Sequence, residues 1–596
     1  MPSDMHIAVV DPRINLKDDK LIHVVNDGPS SSTYQTFQPN NVNSTSSSIY
    51  QINPPSTKVG VGRYVRQRIR GYCVFTGTNL TPENVTVALR AWPLASIMSS
   101  CQLQINNANI AYSQQNTFMP AFSRVCNPVI NQVSYQSGTA TFPDTLNSYG
   151  DAAALVNGPF ANACEAANGS ASRSRTEQIT GINYTSATSL IVSFNITEPI
   201  LLAPFTADTN QVEALYGVSQ MNIVINWANI HKMFSFALTG GATLTAMTPT
   251  FQDQALLINY VSPSEDTLTA SMPTQVYNCP SIQLYTTQTS STASPTPGVV
   301  VAAPNDASYT GGVFRPANPS MFTGATTNTI TLPRCPRLAI IWVSDTTDIA
   351  LNPVSAAAIP DRIYPISSLS VNAYNKSSLL AGSSPEQLYE MSLAAGLNAT
   401  QAQFLGLPCI NQEQTGDITP AANAAVYNGT PVVIDFANLS LPPGIAPGVD
   451  AQTQLQFTLN FNNNRYTTVG NGPAAALSGF QVNLLLVTDG YLINSQNGSS
   501  EWITGGMTTE DVNRARHSTR GQYNAIMHRQ TETTLVGGSF WDTLKSIGQS
   551  ALSFAAPIIS QVAPEFAPVV GMAAKLAGAG KMSKSHTRSA AHRGYY

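Results

Sequence analysis

At 596 residues and 43% hydrophobic composition, the chain carries enough apolar material for about two to four domains with buried cores, which excludes a disordered protein. Only 10% of its residues are charged and the net charge is -4, so its surface is built mainly from amides, hydroxyls and small side chains. Such a surface suits secreted proteins and closely packed assemblies, where like-charged copies would repel, and the absence of any apolar run of about 18 residues excludes a conventional membrane helix.

The opening stretch MPSDMHIAVVDPRINLKDDK has no basic region followed by an apolar one, so no signal peptide is expected. Residues 1–55, including NDGPSSSTYQTFQPNNVNSTSSS, are too poor in periodic apolar positions to make a core element and read as a polar arm. GVGRYV at 60–65 has two glycines of a phosphate-binding turn but Val65 in place of the third, and no βαβ pattern surrounds it. In RYVRQRIRGY the alternation places Arg66, Arg68 and Arg70 on one strand face and Val65, Gln67 and Ile69 on the other. That basic face meets nucleic acid or an acidic neighbour, or else it marks an edge strand kept from aggregating by its charges.

From residue 56 to 495 the dominant signal is period-two alternation, seen in Cys101/Leu103/Ile105, Val192/Phe194/Ile196, Met221/Ile223/Ile225/Trp227 and Leu455/Phe457/Leu459/Phe461. These are half-buried strands of antiparallel sandwiches. NYVSPSEDTLTASMPTQ around 260–275 interrupts them and divides the region into halves of roughly 200 residues, each large enough for an eight-stranded jelly roll. Thirty-nine glycines and 39 prolines punctuate the strands with long loops, such as the one at 291–320, a composition suited to contact surfaces. One helix is legible: Ser384 as N-cap, Pro385 in the first turn, Gln387 as capping-box partner, Leu388, Met391 and Ala395 as a stripe, and Gly396 as the stop.

After residue 495 the chain becomes polar and basic, and then LVGGSFWDTLKSIGQSALSF (535–554) brings an amphipathic helix. Ser539 and Asp542 start it, Phe540, Leu544, Ile547, Ala551 and Phe554 recur at helical spacing with Trp541 widening the stripe, and Pro557 ends it. A face of this kind docks into a protein groove or lies in a membrane interface. The final KMSKSHTRSAAHRGYY carries Lys581, Lys584, Arg588 and Arg593 without an acid, either to touch nucleic acid or simply as a solubilising end. The expected organisation is an arm (1–55), two β domains (56–265 and 266–495), a basic linker (496–538) and a helix with a basic tail (539–596).

Little chemistry is written into this chain. Residues 1–495 hold only His6, His23 and His231, none beside another ligand in sequence, and the seven cysteines are dispersed without CxxC spacing. Buried reduced thiols are expected, with no cofactor, no metal site and no enzymatic constellation. Triplets such as Asn79-Leu80-Thr81 arise from the composition and imply no glycans without a secretory route.

Two β-sandwich halves, few charges, a polar leader and a tail with protease-like sites resemble the double-jelly-roll major capsid proteins of virophages, polinton-like elements and related DNA viruses. SSCQLQINNANIAYSQQN (99–116), FNITEPILLAPF (194–205), LYGVSQMNIVINW (215–227) and SVNAYNKSSLLAGSSPEQLYEMSLAAGLN (370–398) carry the resemblance, which covers most of residues 50–495. It implies an all-β fold of two consecutive eight-stranded antiparallel jelly rolls, with few short helices and a helical or irregular tail. It further implies a homotrimer forming a pseudo-hexameric capsomer of an icosahedral virion shell assembled inside the host cell, with neighbouring capsomers, penton and minor capsid proteins as partners.

The tail is similar to adenovirus-type maturation sites, in which an aliphatic residue, any residue and Gly-Gly precede the cut. Leu535-Val536-Gly537-Gly538 before Ser539 fits that pattern, as does Ile503 with Gly505 and Gly506 before Met507. LAGA at 576–579 before Gly580 fits a second form, and Leu238-Thr239-Gly240-Gly241 also satisfies the loose rule inside the β region. By this resemblance a viral maturation protease releases a membrane-active helix, although here the helix is fused to the shell protein where adenoviruses encode it separately. Two other readings stand beside it: a capsid protein of a non-enveloped RNA virus with a releasable peptide, and a secreted carbohydrate-binding β-sandwich protein.

Overall fold

A computed structural model describes residues 31–125, 143–146, 178–205, 214–262, 274–290, 322–345, 353–409, 425–439, 441–442, 447–462, 479–495, 498–504 and 507–508, with a few short pieces besides. Up to residue 262 the main strands are β1 (Ser31–Phe37), β2 (Ser47–Ile52), β3 (Gly60–Gly62), β4 (Arg66–Thr78), β5 (Val85–Leu89), β6 (Met98–Ile105) and β7 (Ala108–Ser113). Helix α1 (Gln115–Phe122) follows, then β8 (Ile179–Ser186), β9 (Ser189–Pro199), β10 (Ala214–Leu215), β11 (Met221–Trp227), β12 (Phe234–Leu238) and the long β13 (Thr243–Ser262).

These strands form a seven-stranded sheet in the order β8-β9-β4-β13-β3-β10, with β1 also on β13, a four-stranded sheet β2-β11-β6-β7, and the pair β12-β5. The alternation read from the sequence is the burial pattern: along β4 and β9, Ile69, Cys73, Phe75, Val192, Phe194 and Ile196 point inward. They meet Cys101, Leu103, Ile223 and Ile225 of the smaller sheet in one core. Edge-to-face rings stitch it, Phe75 against Phe236 with centroids 4.7 Å apart and Trp227 against Phe251 at 6.4 Å.

The reading of residues 1–55 as an arm is corrected for its second part. β1 pairs with β13 and β2 pairs with β11, and Tyr50 and Ile52 are fully buried. The inward set of β2 includes a serine, which hid its period. Ser48 is itself buried, donating to Gln254 Oε1 at 2.5 Å and accepting from Trp227 Nε1 at 2.9 Å.

From residue 274 the main strands are β14 (Thr274–Asn278), β15 (Ser281–Ser290), β16 (Phe322–Thr326), β17 (Ile330–Arg334), β18 (Leu338–Asp345), β19 (Ile366–Ala373) and β20 (Lys376–Leu379). After helices α2 (Pro385–Ala394) and α3 (Gln401–Phe404) come β21 (Val432–Asp435), β22 (Val449–Asn462), β23 (Gly479–Thr488), β24 (Gly490–Ser495), β25 (Ser500–Thr504) and β26 (Met507–Thr508). One sheet runs β15-β23-β18-β21, and another runs β16-β22-β19-β20 with β17 and β26 also on β22. A third, β14-β24-β25, lies toward the junction. Phe461, Phe480 and Tyr364 cluster between the sheets, the two phenylalanine rings 5.0 Å apart.

The α2 signature is realised in full. Gln387 N donates to Ser384 Oγ, Ser384 N donates to Gln387 Oε1, Leu388 is buried and Gly396 takes φ +107°. Thr400 and Gln403 repeat the same box at α3. Ser392 on α2 accepts from Val433 N at 3.0 Å, which docks the helix on β21.

Candidate functional site: the joint between the two sheet systems

Every strand pair described falls wholly before residue 263 or wholly after residue 273, apart from the isolated bridge Leu146–Tyr427. What joins the two systems is therefore side-chain and loop chemistry. Its centre is Asp361, in the segment before β19, whose Oδ2 lies 2.8 Å from Arg90 Nη1 and whose Oδ1 lies 3.3 Å from Lys232 Nζ. Arg90 leaves the end of β5 with its side chain 2% exposed, donates to the Ile359 carbonyl at 2.9 Å and lies over the Tyr149 ring at 5.8 Å.

Burial alone would raise the Asp361 carboxyl, but Arg90 and Lys232 hold it well below the usual carboxylate range. The neighbouring His231 is pushed down to about 4 by burial and by the same two cations, so it is a neutral core imidazole at pH 7. Arg124, lowered to about 10 by burial against the pull of Asp144 and Asp361, donates to the Asp144 carbonyl, and its own carbonyl accepts from Asn398 N at 2.8 Å. Asn428 completes this part: its amide donates to the Asp361 carbonyl at 2.6 Å, and its backbone N–H donates to the Thr145 carbonyl at 2.8 Å.

A second contact uses amides. The β6–β7 turn places Asn106 at φ +51°, a left-handed conformation that asparagine tolerates. Its amide donates to Ser500 Oγ of β25 at 2.6 Å and to the Gly217 carbonyl at 2.9 Å, while its Oδ1 accepts from Ser219 N at 2.7 Å. Asn107 accepts from Ser500 N at 2.7 Å, and Asn494 of β24 donates to the Tyr216 carbonyl at 3.1 Å. Tyr277 Oη of β14 accepts from Tyr216 N at 2.8 Å, and the Arg63 guanidinium lies 5.8 Å over the Tyr277 ring.

This constellation positions; it offers no nucleophile with an adjacent base. Among the described residues no group of three His, Cys, Asp or Glu side chains is placed to hold a metal. Cys73, Cys101, Cys279 and Cys335 are free and buried, with Cys101 pushed up to about 12 by burial, so these thiols are inert packing groups. Glu198, fully buried on β9, is pushed up to about 7 by burial even though it accepts from Leu94 N and Ala95 N at 2.9 Å each. It fastens the turn between β5 and β6.

The basic strand face lies where the alternation put it, on the outer side of β4. Arg68 pairs with Asp253 at 2.8 Å, Arg70 donates to Asn195 Oδ1 at 3.3 Å, and Arg66 lies 5.3 Å over the Tyr64 ring. The edge-strand reading is corrected: β4 runs between β9 and β13, so its charges face lateral partners inside a sheet. Ile503 lies in β25 opposite Tyr491, and Met507 lies in β26 beside Val449. Gly505, Gly506, Leu535 to Ser539, the helical positions Phe540, Trp541, Leu544, Ile547, Ala551 and Phe554, and Lys581, Lys584, Arg588 and Arg593 are outside the described residues.

Comparison with known proteins places this architecture. The family model for the first domain of the Sputnik virophage major capsid protein matches residues 3–260, and the model for the major capsid protein V20 C-terminal domain matches residues 309–473. The capsid protein V20 of Sputnik virophage is 25% identical over 562 residues, 91% of this chain and 85% of that protein. A chain of the cryo-EM structure of Sputnik virophage superposes with TM-score 0.69 at 22% identity, over 88% of this chain and 97% of that one. The mavirus major capsid protein superposes with TM-score 0.63 at 15% identity, over 81% and 92%. These neighbours are double jelly rolls, and so is this fold. Matched in both of its sheet systems, the chain belongs to the double-jelly-roll major capsid proteins of the virophage type, structural proteins of the virion shell.

Proposed function

We propose that three copies of this chain associate into a pseudo-hexameric capsomer, and that such capsomers build an icosahedral shell with neighbouring capsomers, penton and minor capsid proteins. The observation that carries this is the joint. Buried ion pairs around Asp361 and the Asn106–Ser500 clasp set two sandwiches at one fixed mutual orientation, so each chain supplies two rigid units and three chains supply six. In this reading the first unit ends near residue 265 and the second spans 266–495. Light scattering on the purified chain tests it: a mass three times 63.4 kDa and a hexagonal outline by negative stain are expected. A monomer or dimer at all concentrations contradicts it.

We also infer that the tail is released by a maturation protease after Gly538. Of the two Gly-Gly matches in the tail, the one at 503–507 is flanked by β25 and β26, both paired, and a protease that needs an extended accessible chain is impeded there. Freed, the 539–554 segment is the membrane-contact element and the basic end the genome contact. The intact mass of the polypeptide from assembled particles decides it: a product ending at Gly538 is expected, and a full-length mass in infectious particles overturns it.

A further inference from the structure

A cavity of about 230 Å³ opens between the two sheets of the second sandwich, beside β15 and under the corner joining β16 to β17. Thr286, Thr287, Thr327, Thr329 and Thr331 line it, with Thr287 on the same face of β15 as Tyr285. Its apolar floor includes the buried Ile330 and Leu484. The half-buried Tyr285 and the exposed Asn328 also line the wall, and among the described residues none lining it is charged. The corner is held in place without exhausting these groups: Asn328 N donates to Thr287 Oγ1 at 3.3 Å, which leaves that hydroxyl's proton available.

We propose that this cavity binds a single neutral pyranose unit of a glycan. The absence of lining charge selects against phosphates, carboxylates and amines, because an ion there would lose hydration without gaining a counter-charge. Hydroxyl- and amide-bearing residues beside an apolar floor suit a molecule that carries hydroxyls around an apolar C–H face, with the Tyr285 ring as a flank. Pockets for drug-sized ligands run to about 300–1,000 Å³, so this smaller volume admits one sugar ring and leaves the rest of a chain outside. The inference is independent of trimerisation, since every lining residue comes from one chain.

Saturation-transfer NMR on the full-length protein with glucose, galactose, mannose and N-acetylglucosamine at millimolar concentration tests it. Transfer to the ring protons of at least one sugar is expected. It should weaken at least about tenfold in the double variant Thr287→Val, Thr329→Val, at two lining positions outside the fully buried core. An unchanged melting temperature shows that the variant is folded. No transfer from any of the four sugars, or equal transfer in the folded variant, overturns the proposal.

Discussion

Asp361→Asn is the sharpest test of the joint. The substitution keeps the shape but removes the charge that faces Arg90 at 2.8 Å and Lys232 at 3.3 Å. Two unit charges about 4 Å apart interact by about 4 kcal/mol at an effective dielectric of about 20, and breaking one side of a buried pair costs about 3–5 kcal/mol because the other charge is left behind. Arg90, 2% exposed, cannot rotate into water, and the Ile359 carbonyl and the Tyr149 ring do not replace a carboxylate beside it. Asp361 itself is 21% exposed, which screens part of the interaction and places the loss near about 3 kcal/mol. For domains of this size that corresponds to a melting temperature lower by about 6–12 °C. Calorimetry at pH 7 measures it, with Asp253→Asn as the control: that bridge to Arg68 is also 2.8 Å, but both side chains are about a quarter exposed, so less than about 1 kcal/mol is expected. The folded-state pKa of Asp361 is depressed, so its contribution is present above the unfolded value of about 3.9 and is lost as pH falls below it; the deficit of the variant should shrink in acid. Equal melting of Asp361→Asn and wild type at pH 7, or an equal loss in the control, refutes the assignment of the joint to this ion cluster.

Glu198 has the opposite sign. Its folded pKa of about 7 lies above the unfolded carboxylate value, so the protein loses stability as pH rises from about 4.5 to about 7, by about 3 kcal/mol from this group. Urea midpoints at pH 5 and pH 8 should show that slope in wild type and a flatter one in Glu198→Gln; identical slopes contradict it. Ser384→Ala removes the cap of α2 and should cost about 1 kcal/mol, read as faster amide exchange at Gln387. Gly77→Ala drives a Cβ into the Thr243 carbonyl between two paired strands, and a loss of more than about 2 kcal/mol is expected in a chemical melt.

The strands were legible because one face of each is buried: the period of two in Leu455, Phe457, Leu459 and Phe461 is a direct image of a sheet with one dry side. α2 was legible because its cap uses neighbours three residues apart. α3 carries the same Thr-x-x-Gln signature, but four residues give no stripe to confirm it. Where burial is satisfied by hydrogen bonds, the pattern fails, and Ser48 turned a core strand into an apparent arm. For the arginines the alternation gave the face but not the place in the sheet. Edge and centre differ only in which strands pair alongside, and the partners of Arg68 and Arg70 lie 185 and 125 residues away.

The joint was illegible for the same reason carried further. Lys232 meets Asp361 across 129 positions, and Asn106 meets Ser500 across 394. Nothing local marks these residues; Asn106-Asn107 between two alternating strands signals a turn, and no more. Yet the low charge of the chain gives them weight. In a protein where one residue in ten is charged, burying Arg90 and most of Lys232 and Asp361 in one place is costly unless the geometry is matched, and a matched ion cluster tolerates only one arrangement of its partners. One apolar core runs through both sandwiches, but non-directional burial alone favours no single angle as sharply as directional bonds do. A shell built from repeated identical contacts needs one, and the directional bonds of Asp361 and Asn106 are the kind of chemistry that selects it.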